Sequence, residues 1–443
     1  MFKKLQFKIE FLVSYLKQKY PFILIGISIG IFAFIYHQQI VNIYNLPVFR
    51  TKIIGIEGLY TEATLPEDIT NLISYGLTKN SENDRPVNSP IAKLHDIENQ
   101  NKDYIFDIEP NIYWHNNKKF TAYDINYQIS GVKIIPESDT RVRITTDTAF
   151  SPLLSALSSP LFKKGFIGLG PYQVTSVAYR EGYVKTLNLK PRSNKLNKIT
   201  YNFYSNEKDL INAYKLGLVN EIQSSVLPEE LSTWNRTKIT QNIETNNRYS
   251  AIFFNTEKIN NKQLRQALAY ATPKTQDKNE RCLGPISPNS WAYNPSIKEY
   301  NFDPAHAKEL FDKNKIETIN LSVFDRRLLP LATEIKNSWK EVLGIETTIT
   351  IENQIGTDYD VILTYAAIPH DPDQYTFWHS TQTKTNLTKL NNSRIDKLLE
   401  EGRQSFDPQE RKSIYQDFQR YLLEESPAIF LSYPTSYQIT RVK

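Results

Sequence analysis

A strand–helix–strand pattern over residues 319–365 constrains the fold of this chain more than any other feature. ETINLSVF predicts a strand, and Gly344 ends the helix that follows it. ETTITI and DYDVILTY predict two further strands. The helix carries its apolar residues on one face: Leu328, Leu331, Ala332, Ile335, Trp339, Val342 and Leu343. Helical crossovers of this kind join parallel strands, so the pattern predicts an α/β fold.

The last strand of that pattern runs into a loop that contains two prolines, within residues 359–380 (YDVILTYAAIPHDPDQYTFWHS). Pro369 and Pro372 have no N–H donor and a fixed φ, so neither strand nor helix continues there. Ligands of layered α/β domains collect at the carboxyl ends of strands. The loop is therefore a candidate ligand-contacting edge. The alternative is a surface turn whose carboxylates are solvated.

Composition excludes several classes of protein. A chain of 443 residues predicts two or three domains at about 150 residues each. The net charge of +5 comes from 53 basic and 48 acidic residues without a basic stripe, which argues against nucleic acid as a partner. The single cysteine, Cys282, excludes intramolecular disulfides and Cys-rich metal sites. No histidine pair has HxxxH or HExxH spacing, so no zinc-hydrolase motif is present.

The N-terminal region predicts a membrane anchor. Residues 1–20 carry five lysines, and an apolar segment follows from Pro21 to Val41. No A-x-A cleavage site follows it, and no cysteine is available there for lipid attachment. We therefore expect residues 1–20 to be a cytoplasmic tail and residues 21–41 an uncleaved transmembrane signal anchor, with the rest of the chain on the outer face of the cell membrane. The alternative for 21–41 is a buried core helix.

Shorter patterns predict the remaining elements. A helix closed by Gly217 covers 207–217, another begins near Asn261, and a third has Asp407 as its N-cap, with Pro408 at the first position and Glu410 completing a capping box. A loop is predicted over 78–90. Other expected helices cover 66–80 and 122–129, and strands are expected at 51–60, 103–109, 141–146, 185–190, 199–205 and in AIFLSY and SYQIT near the C-terminus.

Several local patterns occur together in a fixed order. IFFNTEKINNKQLRQALAYA resembles the most diagnostic segment of the family 5 extracytoplasmic solute-binding proteins, the peptide/nickel-binding components of ABC transporters. DPDQYTFWHS is similar to the family's DPD-containing cleft loop. Further similar segments are WHNNKKFTAYDINYQI, FSPLLSALSSPLF, GLGPYQV, GPISPNSWAYNP and the stretch from SRIDKLLEEG to FLSYP.

The resemblance implies a two-lobed, type II periplasmic-binding-protein (Venus-flytrap) fold. Lobe I would span 51–254 and lobe II 255–425, and the strands of 426–443 would return to lobe I. Crossings between lobes are expected near 250–256 and near the C-terminal strands. The chain passes from about residue 129 directly to RVRITT, where the family usually inserts a small subdomain, so that subdomain is expected to be trimmed.

The resemblance also implies a non-enzymatic function: capture of a peptide between the lobes and its delivery to ABC permease subunits, by a monomer without cofactor or bound metal. Strand-edge N–H and C=O groups suit peptide backbones, so the expected binding residues are Tyr60 and Tyr365–Ala367 at strand ends. Core packing is the alternative for both tyrosines. Asp371 and Asp373 are also candidates, and the alternative for them is to hold the loop by accepting backbone N–H bonds.

One position departs from many peptide binders of the family. Ile368 stands where they carry an aspartate that pairs with the ligand's α-amino group, and isoleucine cannot form that pair. Three other functions stay open: a tethered sensor, a nickel-chelate binder with His370 or His379 near the ligand, and a hydrolase using Asp371 and Asp373, which requires a defined carboxylate separation.

Overall fold

The computed structural model describes residues 51–81 and 83–442, and also 19–20, 22, 25–26, 28–32 and 34–36. Residues 1–18 of the predicted tail and ten of the 21 residues of the predicted anchor at 21–41 lie outside the described residues, and both stay predictions. Among the residues that are described, no helix combines the length and the apolar character needed to cross a membrane.

The elements follow one another along the chain, with strands and helices numbered separately. The strands are β1 Thr51–Glu57, β2 Thr78–Asn80, β3 Pro86–Asn88, β4 Ala92–Glu98, β5 Asp103–Ile108, β6 Val132–Ser138, β7 Arg141–Thr146, β8 Tyr172–Arg180, β9 Tyr183–Pro191, β10 Lys198–Tyr204, β11 Glu221–Ser224, β12 Thr237–Ile243, β13 Arg248–Phe254, β14 Thr318–Val323, β15 Glu346–Ile351, β16 Val361–Ala367, β17 Ala428–Ser432 and β18 Thr435–Arg441. The helices are α1 Glu67–Ile73, α2 Leu153–Ala156, α3 Glu207–Lys215, α4 Glu229–Ser232, α5 Lys262–Tyr270, α6 Pro304–Phe311, α7 Leu329–Leu343, α8 Tyr375–Trp378, α9 Ser393–Gln404 and α10 Pro408–Glu425.

The first lobe is built on a mixed sheet. Within the described part of the chain it has seven strands in the order β12-β18-β11-β1-β10-β9-β8. β1 runs parallel to both β10 and β11, and the outer pairs are antiparallel. Ile54 and Ile56 of β1 belong to one core with Ile69 and Ile73 of α1, while Ile222 of β11 packs in another with α3. The carboxyl ends of β1 and β11 therefore open at the same edge.

The second lobe confirms the strand–helix–strand prediction. Its described strands have the order β15-β14-β16-β13-β17, and β14 pairs parallel with both β15 and β16. Helix α7 buries Ala332, Ile335 and Trp339 against this sheet. The helix ends at Gly344, whose φ of 74° is readily adopted by glycine.

Two strands lie in a different lobe from the one expected. The sequence predicts β13 in lobe I, but it lies in the second sheet between β16 and β17, with Tyr249–Phe254 buried on both faces. β17 also stays in the second sheet, and only β18 returns to the first. The chain therefore crosses between the lobes at 244–247 and at 433–434. The sequence could not show this, because a run of apolar residues indicates that a strand is buried but not which sheet it belongs to.

Residues 74–170 contain two smaller sheets that the sequence did not reveal. β2 and β3 form a hairpin where a loop was expected. The helix expected over 66–80 ends at Ile73, which leaves 78–80 to form β2. The helix expected over 122–129 is only a 3₁₀ turn at 122–124. β6 fills 132–138 and forms the four-stranded sheet β4-β5-β7-β6, so the expected direct passage to RVRITT is wrong.

The GLG turn before β8 holds the end of α1. The N–H of Gly170 donates to the carbonyl of Ile73 at 2.8 Å. A Cβ on Gly168 would lie 2.2 Å from the same carbonyl oxygen. The backbones can approach this closely only because no side chain intervenes, which is the physical reason for glycine at these positions.

A candidate ligand cleft between the two lobes

A cavity of about 910 Å³ lies where β1 and β11 end. Its walls come from the first lobe, from the crossing segment and from Arg248 and Arg327 of the second lobe. The lining residues are Ile56–Gly58, Tyr60, Pro66–Asp68, Ser205, Gln223–Ser225, Asn242–Arg248, Arg327 and Ser436–Gln438. A second cavity of about 300 Å³ shares Ser225, Arg248, Arg327 and Tyr437 with it and adds Tyr365. The two cavities form one interlobe cleft.

Two arginines lie over one tyrosine in this cleft. The guanidinium carbon of Arg248 is 4.8 Å from the ring centre of Tyr365, and that of Arg327 is 5.8 Å from it. Arg248 Nε is 3.3 Å from Glu244 Oε2, and Arg327 Nη2 is 2.6 Å from Asp325 Oδ2. Each arginine is thus oriented by a nearby acid, and both remain partly accessible to the cavity.

Three carboxylates line the first-lobe side of the cleft, and one of them, Glu67, pairs with His370. The other two are Glu57 and Asp68. Burial raises the pKa of Glu57, and the neighbouring Glu207 raises it further. Burial also raises the pKa of Asp68. In the described part of the chain neither carboxylate forms an ion pair of its own, although Arg327 lies near enough to Glu57 to oppose its shift. The cleft thus places the unpaired carboxylates Glu57 and Asp68 on the first lobe and two arginines on the second.

The end of β16 has an edge without a strand partner, where the Tyr365 carbonyl accepts from Thr364 Oγ1 at 3.4 Å. The N–H of Phe324 donates to the carbonyl of Leu363 at 3.3 Å, and the pairing of β14 with β16 ends there. Backbone groups alternate sides along a strand, so the N–H and C=O of Tyr365 and Ala367 point the same way as those of Leu363. No strand of the described residues pairs with them on that side, while β13 pairs with the other side as far as Ala367.

Both candidate tyrosines have one side in the core and one at the cleft. The Tyr60 hydroxyl donates to the Glu57 carbonyl at 3.2 Å, and its ring centre is 5.2 Å from that of Phe203. Tyr365 packs against the core of the second lobe beneath the two arginines. Burial raises the pKa of both hydroxyls, and Arg248 and Arg327 oppose that rise in each case. The structure therefore brings Tyr60 and Tyr365 to the same arginine pair.

The aspartates of the proline loop point away from the cleft. Asp371 is buried, and its Oδ1 and Oδ2 accept from Arg411 at 2.6 and 3.0 Å. Asp373 Oδ2 accepts from Arg403 Nε at 2.9 Å, and its Oδ1 accepts from the Tyr375 N–H at 3.1 Å. Neither residue lines either cavity. Their carboxylates hold the loop against α9 and α10.

The neighbours of those aspartates also face inward. Ile368 is buried, and its N–H donates to the carbonyl of Asn247 at 2.9 Å. Ala366 packs against the other core of the second lobe, so its methyl group does not line the cleft. Of the residues expected from sequence at this strand end, Tyr365 lines the smaller cavity, and Ala366 and Ala367 line neither.

His370 connects the two lobes. Its Nδ1 lies 2.9 Å from Asp84 Oδ1, and its Nε2 lies 3.3 Å from Glu67 Oε2. These two hydrogen bonds raise the pKa of His370 to about 10. His379 is buried beside Glu400 and Thr381. Both imidazoles are thus engaged by protein groups, and the described residues contain no cluster of three or more His, Cys, Asp or Glu suited to a metal ion.

Sequence reasoning missed the charged residues of the cleft. Arg248 is the one basic residue in the otherwise apolar strand RYSAIFF, and Arg327 follows the carboxyl end of β14. Both positions could have been suspected, because a charge at the end of a buried strand needs a specific reason. Glu57 and Asp68 had no such signal, since acidic residues at strand and helix ends are ordinary.

Comparison with known proteins gives a family match. Residues 86–388 match the model of the bacterial extracellular solute-binding proteins, family 5, middle. A probable D,D-dipeptide-binding periplasmic protein of Escherichia coli is 25% identical over 222 residues, 44% of this chain and 42% of the relative. Heme-binding protein A of Haemophilus influenzae is 28% identical over 218 residues, 42% of this chain and 39% of the relative. The matches thus span about two fifths of these relatives' length.

Solved structures share the fold over most of the chain. NikZ from Campylobacter jejuni in complex with Ni(L-His) superposes with a TM-score of 0.73 and 21% identity, covering 88% of this chain and 94% of that one. The oligopeptide-binding protein AppA from Bacillus subtilis in complex with a nonapeptide gives 0.71 and 19%, covering 88% and 95%. These likenesses confirm the two-lobed α/β fold expected from sequence.

Proposed function

Because this chain belongs to the family 5 bacterial extracellular solute-binding proteins, we propose that it is the substrate-binding protein of an ABC-type peptide transporter. It captures a peptide in the interlobe cleft and delivers it to the permease subunits. Residues 21–41 hold it in the cell membrane, with both lobes on the outer face. The free backbone edge of β16 beside two arginines is the observation that carries the proposal.

The strand edge suits a peptide backbone. The N–H and C=O groups of Tyr365 and Ala367 are directed to a side where no described strand lies. An extended peptide can pair with such an edge through main-chain hydrogen bonds, which do not depend on its sequence. Tyr365 then covers one side of the bound peptide. This arrangement gives affinity for peptides in general.

Charged groups in the cleft suit the two ends of a short peptide. Arg248 and Arg327 can offer their Nη1 groups to a terminal carboxylate, because Glu244 accepts from Arg248 Nε and Asp325 accepts from Arg327 Nε and Nη2. Hydrogen bonds between two charged groups are stronger than those between neutral ones. Glu57 and Asp68 provide acceptors for a terminal ammonium group. The ammonium group would thus be bound by the first lobe and not by the position of Ile368, which lies in the core.

The rest of the wall suits varied side chains. Gln223, Gln438, Asn242 of β12 and two asparagines of the crossing segment place amide groups around the cavity. Amides can donate or accept, so they adapt to different polar groups. A volume of about 910 Å³ is near the upper end of the ordinary range for small-ligand sites. These features support binding of short peptides with mixed sequences.

The ligand can be identified by mass spectrometry of what copurifies with the protein. Short peptides are the expected result. A nickel chelate or haem, the ligands named for two of the similar proteins, would contradict the peptide proposal. Binding of the recovered peptide is then measured by calorimetric titration, as the free acid and as the C-terminal amide.

The carboxylate contact is tested by Arg327→Gln. This change should weaken binding of the free-acid peptide about tenfold or more, which corresponds to about 1.4 kcal/mol. It should leave the affinity for the amide nearly unchanged. Arg326→Gln is the matched control, because Arg326 is adjacent and lines neither cavity. Equal losses for acid and amide would exclude a contact between Arg327 and the carboxylate.

The ammonium contact is tested by Glu57→Gln and Asp68→Asn. Each change should weaken binding of the free peptide and have little effect on an N-acetylated peptide, which has no charged amino end. Glu62→Gln is the control, because Glu62 is outside the cavity lining. A protein that carries both changes completes the test. If acetylation of the peptide weakens binding to this double variant as much as it weakens binding to the unaltered protein, another group binds the amino end.

The anchor and the transport role need separate measurements. The full chain should stay in the membrane fraction after alkaline extraction, with an intact N-terminus; a mature N-terminus after residue 41 would contradict the anchor. Chemical cross-linking should join it to the permease subunits. Peptide binding without any permease contact would instead indicate a tethered sensor.

A further inference from the structure

One apolar side chain of the second lobe lies in a core of the first lobe. In the described part of the chain, the core of 74–170 contains residues of that segment and one other residue, Phe406. Phe406 belongs to the linker between α9 and α10, and its ring centre is 6.1 Å from that of the fully buried Tyr104. The Tyr104 hydroxyl donates to the Phe150 carbonyl at 2.7 Å. The two lobes are thus in direct apolar contact at Phe406.

Ser151 of the first lobe caps the end of helix α9. Its N–H donates to the Arg403 carbonyl at 2.8 Å, and its hydroxyl lies 3.1 Å from that carbonyl oxygen and 3.3 Å from the carbonyl oxygen of Gly402. Carbonyls in the last turn of a helix have no partner within the helix. A residue of the other lobe therefore satisfies them here, and water can do so when the lobes are apart. We name this contact the latch: Tyr104, Phe150 and Ser151 with residues 402–406.

The first-lobe half of the latch is fixed to the first lobe. Segment 74–170 follows α1 and precedes β8, so both of its ends continue into that lobe. The close backbone contact between Gly170 and Ile73 at the GLG turn holds the segment against α1. From Ser151, the chain reaches the second-lobe half only through the crossing at 244–247. Rotation about the crossings should therefore separate the two halves of the latch.

The second-lobe half of the latch is fixed to the proline loop. Arg403 Nε donates to Asp373 Oδ2 at 2.9 Å. Arg411 binds Asp371 and also donates from its Nε to the Gly402 carbonyl at 2.8 Å. Both aspartates follow β16, the strand whose edge is proposed to pair with the peptide. The ligand-binding strand and the second-lobe half of the latch are therefore tightly connected.

We propose that the latch forms when the lobes close on a peptide and that it sets how long the peptide stays bound. The proposal rests on the proposed function, since it requires a cleft that opens and closes around a ligand. A peptide enters and leaves through the open state. A contact made only in the closed state therefore slows release and leaves the rate of entry unchanged. The latch is formed in this structure, so the lobes are in the closed arrangement.

Single-molecule fluorescence energy transfer between dyes on the two lobes tests the latch. The full chain is studied in detergent micelles, with and without trialanine as the probe peptide. Phe406→Ala should shorten the dwell time of the closed state about tenfold, because truncation of a packed aromatic ring at a contact typically costs that much. The dwell time of the open state should stay the same. An unchanged closed-state dwell time in Phe406→Ala would overturn the proposal.

Three further variants separate the latch from a general loss of stability. Phe302→Ala removes an exposed ring of the second lobe outside the latch and should leave both dwell times unchanged. Phe406→Leu keeps an apolar side chain and should restore most of the closed-state dwell time. Ser151→Ala removes only a hydroxyl and should shorten that dwell time several-fold, which tests the latch even where Phe406→Ala does not fold. An earlier thermal melt with unchanged dwell times would give the contact a structural role alone and overturn the proposal.

Stopped-flow kinetics of trialanine, followed with the same dyes, distinguish this proposal from the proposed function. In Phe406→Ala, trialanine should dissociate about tenfold faster and associate at the rate of the unaltered protein. Normal release from Phe406→Ala would overturn the latch and leave the peptide-binding function standing. If trialanine does not bind but Phe406→Ala still shortens the closed-state dwell time, the proposed function and the role in release fail, and the closed-state contact stands.

Discussion

Neighbouring side chains near the end of β16 have different roles: some stabilise the fold and others line the cleft. Asp371 and Tyr365 are six residues apart, yet one is buried against Arg411 and the other lies beneath two arginines at the cleft. The difference arises because the Asp371 carboxylate is buried and accepts from Arg411 and from the Asp373 N–H, and it lines neither cavity. Substitutions at the two positions should therefore affect different properties.

Asp371→Ala should destabilise the protein strongly. It leaves Arg411 buried without its partner, which typically costs about 3–5 kcal/mol. Asp373→Ala is the comparison, because its partner Arg403 is more exposed and the loss should be smaller. Denaturant unfolding measures both. If Asp371→Ala unfolds normally but binds peptide poorly, the residue contacts the ligand after all.

Tyr365→Ala should weaken binding more than folding, and Leu268→Ala should do the reverse. Leu268 is fully buried on α5, where truncation costs about 2–5 kcal/mol. Loss of the Tyr365 ring removes a contact worth about tenfold or more in affinity. Calorimetric titration and thermal melts are compared for both variants. Normal binding with an early melt would place Tyr365 in the core only.

At the scale of elements, the proline loop after β16 is fastened to α1 and to the β2–β3 hairpin. His370 makes both contacts, to Glu67 and to Asp84, and its side chain is about one third exposed. The loop belongs to the second lobe and both acids to the first, so this contact favours the arrangement of lobes seen here. Its strength depends on the charge of the imidazole.

The contact should weaken at alkaline pH. The pKa of His370 is raised from its ordinary value of 6.5 to about 10 by Asp84 and Glu67. A raised pKa means that the stabilising effect is complete below about pH 6.5 and disappears as the pH rises through 10. Fluorescence energy transfer between dyes on the two lobes, measured from pH 6 to 10, should show separation at the alkaline end.

Two histidine variants serve as controls for that measurement. His370→Gln should show the separated state at every pH, because it cannot carry the charge. His95→Gln should behave like the unaltered protein, since His95 pairs with Asp107 within one sheet. A pH dependence that persists in His370→Gln would assign the effect to another group.

Within residues 51–442 two adjacent chain crossings connect the lobes. The chain passes between sheets at 244–247 and again at 433–434, and the N–H of Glu244 donates to the carbonyl of Pro434 at 2.9 Å. Two neighbouring connections permit rotation of one lobe against the other with few changes in backbone angles. The cleft lies beside this joint, so a ligand that contacts both lobes should favour closure.

Saturation with the copurified peptide should lower the radius of gyration in small-angle scattering, measured against protein stripped of ligand by partial unfolding and refolding. Arg327→Gln should need more peptide for the same change, because Arg327 is a second-lobe group in the larger cavity. A radius that does not change on saturation would show that binding occurs without hinge closure.

The sequence alone determined the local elements of this protein. Apolar spacing predicted α7 and its sheet, and the residues before helices predicted their first turns: Asn261 accepts from Leu264 N–H, and Asp407 from Gln409 and Glu410 N–H. The second half of the capping box at Asp407 did not form, because the Glu410 side chain accepts from Ser405 instead. These features could be predicted because helices and caps depend on residues within a few positions.

The tertiary structure decided everything that depends on partners distant in sequence. Asp371 meets Arg411 forty positions away, and Arg248 meets Arg327 over Tyr365 only because β13 lies beside β16. Periodicity showed that β13 is buried but not in which sheet. The lobe boundary therefore lies at 244–247 and not at the expected 254–255. Charge, burial and strand edges are properties of the assembled chain, and for that physical reason the cleft could be located from strand ends but its charged walls could not.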